Sequence, residues 1–300
     1  MLSCSRSAKR RQDAWGPPIS GGIIQIGQMV RNPMSSTPQY EIFAIKYAEA
    51  QREAHECFLM PDPHDGPMPM DYFVWLIRGE GRIVLLDTGF TEARAKLRKR
   101  TFLRCPSKGL EVLEVMPDKV ETVILSHLHY DHSGNLDLFP KAEFVVQDEE
   151  MRFATGRYMR YKAARQAFEA DDVARLLQAN YAGRVRFFDG DAELFPGIGL
   201  HLIGGHSRGL QAVSVNTKRG LVVLASDAAH YYANITRGNP FPIVANVPEN
   251  CESHERLFRL SGGLHRLIPG HDPKIMALYP AHPKDPMIVD LTAEPLDKIR

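Results

Sequence analysis

The sequence carries almost no net charge: 37 Lys and Arg stand against 36 Asp and Glu in 300 residues, a formal +1. Dedicated nucleic-acid binders present a strongly basic domain, so nucleic acid is not expected as a partner. Cysteine is scarce and scattered. Cys4, Cys57, Cys105 and Cys251 form no C-x-x-C pair, which argues against a disulfide framework or a thiolate zinc site and suggests a reducing, cytoplasmic setting. No 18-residue run is apolar enough to span a bilayer, so no membrane partner is expected. Residues 14–30 are uncharged and follow Arg6, Lys9, Arg10 and Arg11, as in the start of an export signal. Gly16, Pro17, Pro18, Gly21, Gly22, Gln25 and Gln28 interrupt the apolar core such a signal requires, and export is not expected. Low-complexity tracts and short repeats are also lacking.

What is present is a globular composition, 44% hydrophobic and 24% charged, in a chain long enough to bury roughly 75% of its unfolded surface. Residues 1–39, rich in Ser, Gly, Pro and Arg, read as a weakly structured N-terminal extension, with Met34 as the expected native start. Residues 40–300 read as the folded domain. Within it, β-branched and aromatic stretches predict strands at 40–47, 72–77 and 83–86, the last two joined by Gly79-Glu80-Gly81. Further strands are predicted at 120–125, 142–147, 185–188, 200–203, 212–216, 221–225 and 267–268. Helices are predicted at 92–100, 110–116, 149–181 and 253–260. In the long helix, Tyr158, Tyr161, Phe168, Val173, Leu176 and Leu177 recur at mainly three- and four-residue steps, which predicts a core-facing stripe. Two β-rich halves flanked by helices predict an α/β fold, an αββα four-layer sandwich.

Twelve histidines stand out, and their placement is uneven. Ser126-His127-Leu128-His129-Tyr130-Asp131-His132 directly follows an apolar strand. If the chain continues extended, His127, His129 and Asp131 at alternate positions point the same way, with His132 added as the chain turns. Imidazoles and a carboxylate so close together suit a transition metal better than a core. Three later strands each end in a turn with a candidate ligand: His206 after Leu202-Ile203-Gly204-Gly205, Asp227 after Leu224-Ala225-Ser226, and His271 after Leu267-Ile268-Pro269-Gly270.

With these residues in place, the chain resembles the metallo-β-lactamase superfamily, whose signature is H-x-H-x-D-H followed by a separate His, Asp and His. The resemblance implies two divalent metal ions, zinc foremost, with iron, manganese or cobalt as alternatives. His127, His129 and His206 would hold the first ion and Asp131, His132 and His271 the second, with Asp227 bridging them. Asp87-Thr88-Gly89 is also typical, its aspartate supporting the ligands. Within the superfamily the chain looks most like the N-acyl-homoserine lactonases, on its compact form, the hairpin spanning 72–89 and the segment Gly205-His206-Ser207-Arg208-Gly209-Leu210-Gln211. Two departures are visible: Ile203-Gly204-Gly205-His206 replaces the usual Thr-Pro-Gly-His, and His230 stands where many lactonases have a carbonyl-binding Tyr. Tyr231, Tyr232 or His230 itself are the candidates for that role.

This likeness implies a hydrolase that opens a small lactone by attack of a metal-bridging hydroxide, with Asp131 carrying a proton to the leaving alkoxide and His230 binding the oxyanion. The expected state is a monomer or homodimer. Phe58, Leu59, Met60, Met68, Met70, Phe73 and Trp75 surround a Pro/Gly-rich stretch and are candidates to receive an acyl chain, with ordinary packing as the alternative. Arg152, Arg157, Arg160, Lys162 and Arg165 read as a solvated helix face. Competing readings on the same fold are a glyoxalase-type thioesterase and a mononuclear iron persulfide dioxygenase.

Overall fold

The computed structural model describes residues 37–62, 64 and 66–299. Of the extension expected at 1–39, residues 1–36, with the start at Met34, lie outside the described residues; Thr37 O and Pro38 O accept from Asn216 Nδ2. Thr37–Arg300 form one compact unit. Its strands are β1 (Glu41–Ala50), β2 (Met70–Gly79), β3 (Arg82–Leu86), β4 (Thr101–Phe102), β5 (Thr122–Ile124), β6 (Glu143–Gln147), β7 (Val185–Phe188), β8 (Ala192–Phe195), β9 (Ile198–Leu202), β10 (Gln211–Thr217), β11 (Gly220–Ser226), β12 (Leu267–Pro269), β13 (Ala281–His282) and β14 (Asp285–Asp290). One sheet runs β13-β14-β1-β2-β3-β5-β6-β7 with β4 on β1, and the second runs β12-β11-β10-β9-β8.

Period-2 alternation sorts β2 between two cores. Tyr72, Val74 and Leu76 pack on the helix side, while Phe73, Trp75 and Ile77 face the second sheet. β3, β5 and β6 pair in parallel, so β5 is covered on both faces, Val123 on one side and Ile124 on the other. The β2–β3 loop is Glu80-Gly81, both at positive φ, the geometry of a tight hairpin whose twist matches its strands.

The helices are α1 (Glu92–Leu97), α2 (Pro106–Val112), α3 (Tyr130–Ser133), α4 (Asp148–Ala154), α5 (Lys162–Arg165), α6 (Ala170–Tyr181), α7 (Tyr232–Thr236), α8 (Val247–Ser261) and α9 (Lys274–Leu278). Leu110 of α2 and Val173 and Leu176 of α6 pack on the first sheet's outer face, and Leu257 of α8 on the second's. This is the αββα four-layer sandwich expected from the sequence.

Three expectations need correction. The helix placed at 149–181 is broken into α4, a 3-10 turn at Arg157–Arg160, α5 and α6. The reason is tertiary: Tyr130 N–H donates to Ala167 O and His129 bridges Phe168, so this backbone is committed to the histidine loop. The predicted stripe splits with it, since Phe168, Val173 and Leu176 are buried while Tyr158 and Tyr161 are about half exposed and Leu177 is exposed. The helix expected at 110–116 starts earlier, with Pro106 in its first turn, where the missing N–H costs nothing. Strands β8, β13 and β14 had no clear signal, and Pro286 within β14 masks it further.

Candidate metal centre

β5 stops at Ile124, and the chain stays extended only to His129. There His129 O accepts from His132 N at 3.0 Å and Ser133 N at 3.1 Å, closing the turn α3. Asp131 therefore does not reach the site by strand alternation, as expected from its spacing. The helical turn separates it from His127 and His129 and pairs it with His132, and the motif divides between two donor sets.

The first set comprises His127, His129, His206 and Asp227, the second Asp131, His132, Asp227 and His271, all buried. His129 Nδ1 lies 2.9 Å from both His127 Nε2 and His206 Nε2. Zn–N bonds of about 2.0–2.1 Å at tetrahedral angles put such nitrogens roughly 3.3 Å apart, so this trio is within a few tenths of an ångström of that spacing. Asp227 faces both sets: Oδ2 is 3.3 Å from His206 Nε2 and 3.8 Å from His127 Nε2, while Oδ1 is 2.9 Å from His271 Nε2 and 3.2 Å from His132 Nε2. Asp131 is more distant, 3.8 Å from both His132 Nε2 and His271 Nε2. His132 Nε2 and Asp227 Oδ1 are buried without a hydrogen-bond partner. Orphaned buried polar atoms are costly, and these converge on a common point, so the donor set fits a bound cation.

Outer partners orient the ring nitrogens. His132 Nδ1 is 2.7 Å from Asp87 Oδ2, and His271 Nδ1 donates to Asp71 O at 2.8 Å, which leaves each Nε2 lone pair for the centre. Asp87 also accepts from Ser126 N and Oγ, as the Asp87-Thr88-Gly89 resemblance implied. Ser226 Oγ donates to Ser126 Oγ and extends this network to β11. Asp87 and Ser226 both sit at positive φ, backbone strain gathered at the site. Glu150, which sequence reasoning missed, is a buried carboxylate that accepts from Leu128 N, Gly209 N and Ser207 Oγ. It ties the His127–His129 loop to the His206 loop.

Burial holds His127 and His129 well below the usual histidine range, aided by neighbouring imidazoles, and lowers His206 to about 3. These rings stay neutral, the form that ligates metals. Burial alone would raise Asp227, but His230, His271 and His132 overcome it and keep the carboxylate ionised. His132 shows the converse: burial lowers it, yet Asp227, Asp87 and Asp131 raise it well above its usual range. The pocket is arranged around positive charge.

His230 is also buried, with Nε2 3.1 Å from Asp227 Oδ2 and its ring stacked on Phe241 at 3.7 Å. The alternatives Tyr231 and Tyr232 point elsewhere. Tyr231 OH contacts Cys57 Sγ and Pro69 O, and Tyr232 packs between the sheets. The hydroxyls that line the cavity are Tyr72 and Tyr130, 3.4 Å apart, with the Tyr72 ring 5.0 Å from His271.

Two adjoining cavities, of about 540 and 470 Å³, meet at His129 and His206. Met70 lines the first, whereas Phe73 and Trp75 are buried between the sheets and take no part, because alternation turns them away. Phe58 is core, and Met60 is exposed. Arg152, Arg157, Arg160, Lys162 and Arg165 are exposed, as expected of a solvated face.

A four-layer sandwich with two such donor sets along one edge defines a class, and a profile of the metallo-beta-lactamase superfamily matches residues 68–278. The chain belongs to that superfamily. Its relatives are more particular: an N-acyl homoserine lactonase of Bacillus thuringiensis is 32% identical over 185 residues, 56% of this chain and 68% of that protein. One from Bacillus cereus is 32% identical over 126 residues, 42% of this chain, and the match spans 45% of that relative's length. A quorum-quenching N-acyl homoserine lactone lactonase of known structure shares the fold, with TM-score 0.67 and 22% identity over 80% of this chain and 95% of its own.

Proposed function

We propose that this chain is a metal-dependent hydrolase that opens the ring of N-acyl homoserine lactones or related lactones. The observation that carries the reading is Asp227, whose two oxygens face two separate ligand sets, in a chain similar to N-acyl homoserine lactonases. We assign His127, His129 and His206 to one ion, Asp131, His132 and His271 to the other, and Asp227 to both. Zinc suits this nitrogen and oxygen donor set. Two divalent ions there would supply an acidified water as nucleophile and Lewis acidity toward the ester carbonyl.

The protein residues do the rest. Asp131, whose Oδ1 and Oδ2 face His132 and His271 at 3.8 Å, has one oxygen for the ion and a second to take the proton of the attacking water and pass it to the leaving alkoxide. His230 and the Tyr72–Tyr130 pair supply donors at the cavity wall to orient the carbonyl oxygen. Phe153, Phe168 and Ile243 line the second cavity and offer an apolar wall for an acyl chain. Cys57, Cys105 and Cys251 are free thiols, which supports a reducing, cytoplasmic setting.

The test is a panel of acyl-homoserine lactones of several chain lengths, simple γ-lactones and aryl esters, with metal content measured on the same sample. Lactone opening at two metals per chain is expected. One iron per chain with oxygen consumption, or thioester cleavage without lactone opening, would refute the proposal.

A further inference from the structure

The first cavity carries positive charge that lactone hydrolysis does not require. Arg52, Arg98 and Arg100 all line it. Arg98 is committed, bonded to Glu169 at 2.6 Å and stacked over Tyr130. The other two are not: neither Arg52 nor Arg100 has an ion-pair partner among the described residues. The one side-chain hydrogen bond of Arg100 runs from Nε to Tyr130 OH at 3.3 Å. Arg52 lies 5.7 Å from the Phe241 ring centre, and its Nε is buried without a hydrogen-bond partner. Of the acids nearby, Asp131 acts on Arg100 only from beyond ion-pair distance. Glu56 accepts from Glu53 N at 3.0 Å, and Asp131 and Asp227 face the metal ligands.

Both guanidinium groups line one cavity with no ion pair of their own, and an anion bound there would offset the charge of both. Arg100 connects through Tyr130 and Tyr72 to the ring of His271, so that anion would lie one tyrosine pair from the reacting centre. The second cavity, lined by Phe153 and Phe168, adjoins the first at His129 and His206. We propose that the substrates of this enzyme are lactones bearing an anionic group, a carboxylate or similar oxyanion, which Arg52 and Arg100 bind in the first cavity. This rests on the lactonase reading above and narrows it from the neutral N-acyl homoserine lactones to related lactones that carry an anion. A bound anion makes charge-assisted, forked hydrogen bonds with guanidinium that a neutral ring substituent cannot match.

The experiment compares 5-oxotetrahydrofuran-2-carboxylate with its neutral carboxamide on metal-replete wild type, on Arg52→Gln/Arg100→Gln and on the charge-keeping Arg52→Lys/Arg100→Lys. Calorimetry with 1-butanesulfonate, an anion that ligates metals poorly, measures binding apart from turnover. The wild type should prefer the carboxylate about 10- to 100-fold in kcat/KM and bind the sulfonate. In the Gln variant the preference should collapse to about one and sulfonate binding should disappear, while the Lys variant keeps part of both. Equal kcat/KM for both lactones in the wild type, or equal sulfonate binding by wild type and Gln variant, overturns the anion subsite and leaves the lactonase reading standing. Sulfonate binding that depends on the arginines, with neither these lactones nor any acyl-homoserine lactone of the panel opened, overturns the lactonase reading and leaves the subsite.

Discussion

Replacing Glu150 with Gln keeps its shape and removes its charge, and the structure says what that costs. Oε1 accepts from Leu128 N at 2.9 Å, between the two ligand histidines, and Oε2 accepts from Gly209 N at 2.9 Å and from the Ser207 hydroxyl. An amide satisfies one side only. With its oxygen toward Gly209 and Ser207, its NH2 faces the Leu128 N–H, donor against donor in a buried site. Losing a charge-assisted bond costs about 1.5–3 kcal/mol and stranding a donor about 1–3 kcal/mol. Burial already pushes the Glu150 carboxyl upward, so relief of the buried charge offsets part of this. We expect a net destabilisation of about 2–3 kcal/mol. Because the bond ties the His129 loop to the His206 loop, metal affinity should fall about 10- to 100-fold. Urea unfolding of the metal-replete protein reads the first quantity, and competition with a chromogenic chelator reads the second. Wild-type stability together with wild-type affinity would refute the reasoning. Gly209→Ala should act in the same direction, since a Cβ there would collide with the Glu150 backbone.

Asp227→Asn should cut metal occupancy and abolish most lactone hydrolysis; full metal content with wild-type turnover would remove Asp227 from its bridging role. His230→Phe keeps the stack on Phe241 but deletes the Nε2 contact to Asp227, and kcat/KM should drop about 100-fold, a loss typical of one oxyanion donor. An unchanged kcat/KM would take His230 out of the mechanism. His254 supplies a pH test. Burial lowers it to about 4, despite a bond with the Ala228 backbone, while the unfolded chain titrates near 6.5. Between those values only the unfolded chain is protonated, so stability falls as pH drops through that window, by up to about 3 kcal/mol. His254→Asn should lose stability less steeply between pH 6.5 and 4 in urea titrations, and parallel curves for the two proteins would contradict the assignment.

The seven residues that the structure gathers into two donor sets could be picked out in the sequence because each sits in a short motif following a strand, and local strand chemistry is written in neighbouring residues. The αββα layering followed from the same alternation of β-branched and helical stretches. Tertiary structure decided what local pattern could not. The two donor sets close only when the turns carrying His206, Asp227 and His271 meet the histidine loop, and the helix expected at 149–181 is broken by pairing between residues 167–168 and that loop. Glu150, Tyr72, Arg52 and Arg100 belong to no motif, and Tyr130 fills an unspecified position of the histidine motif. Their roles exist only where folding brings them together, because hydrogen bonds, ion pairing and desolvation act through space and take no account of sequence separation.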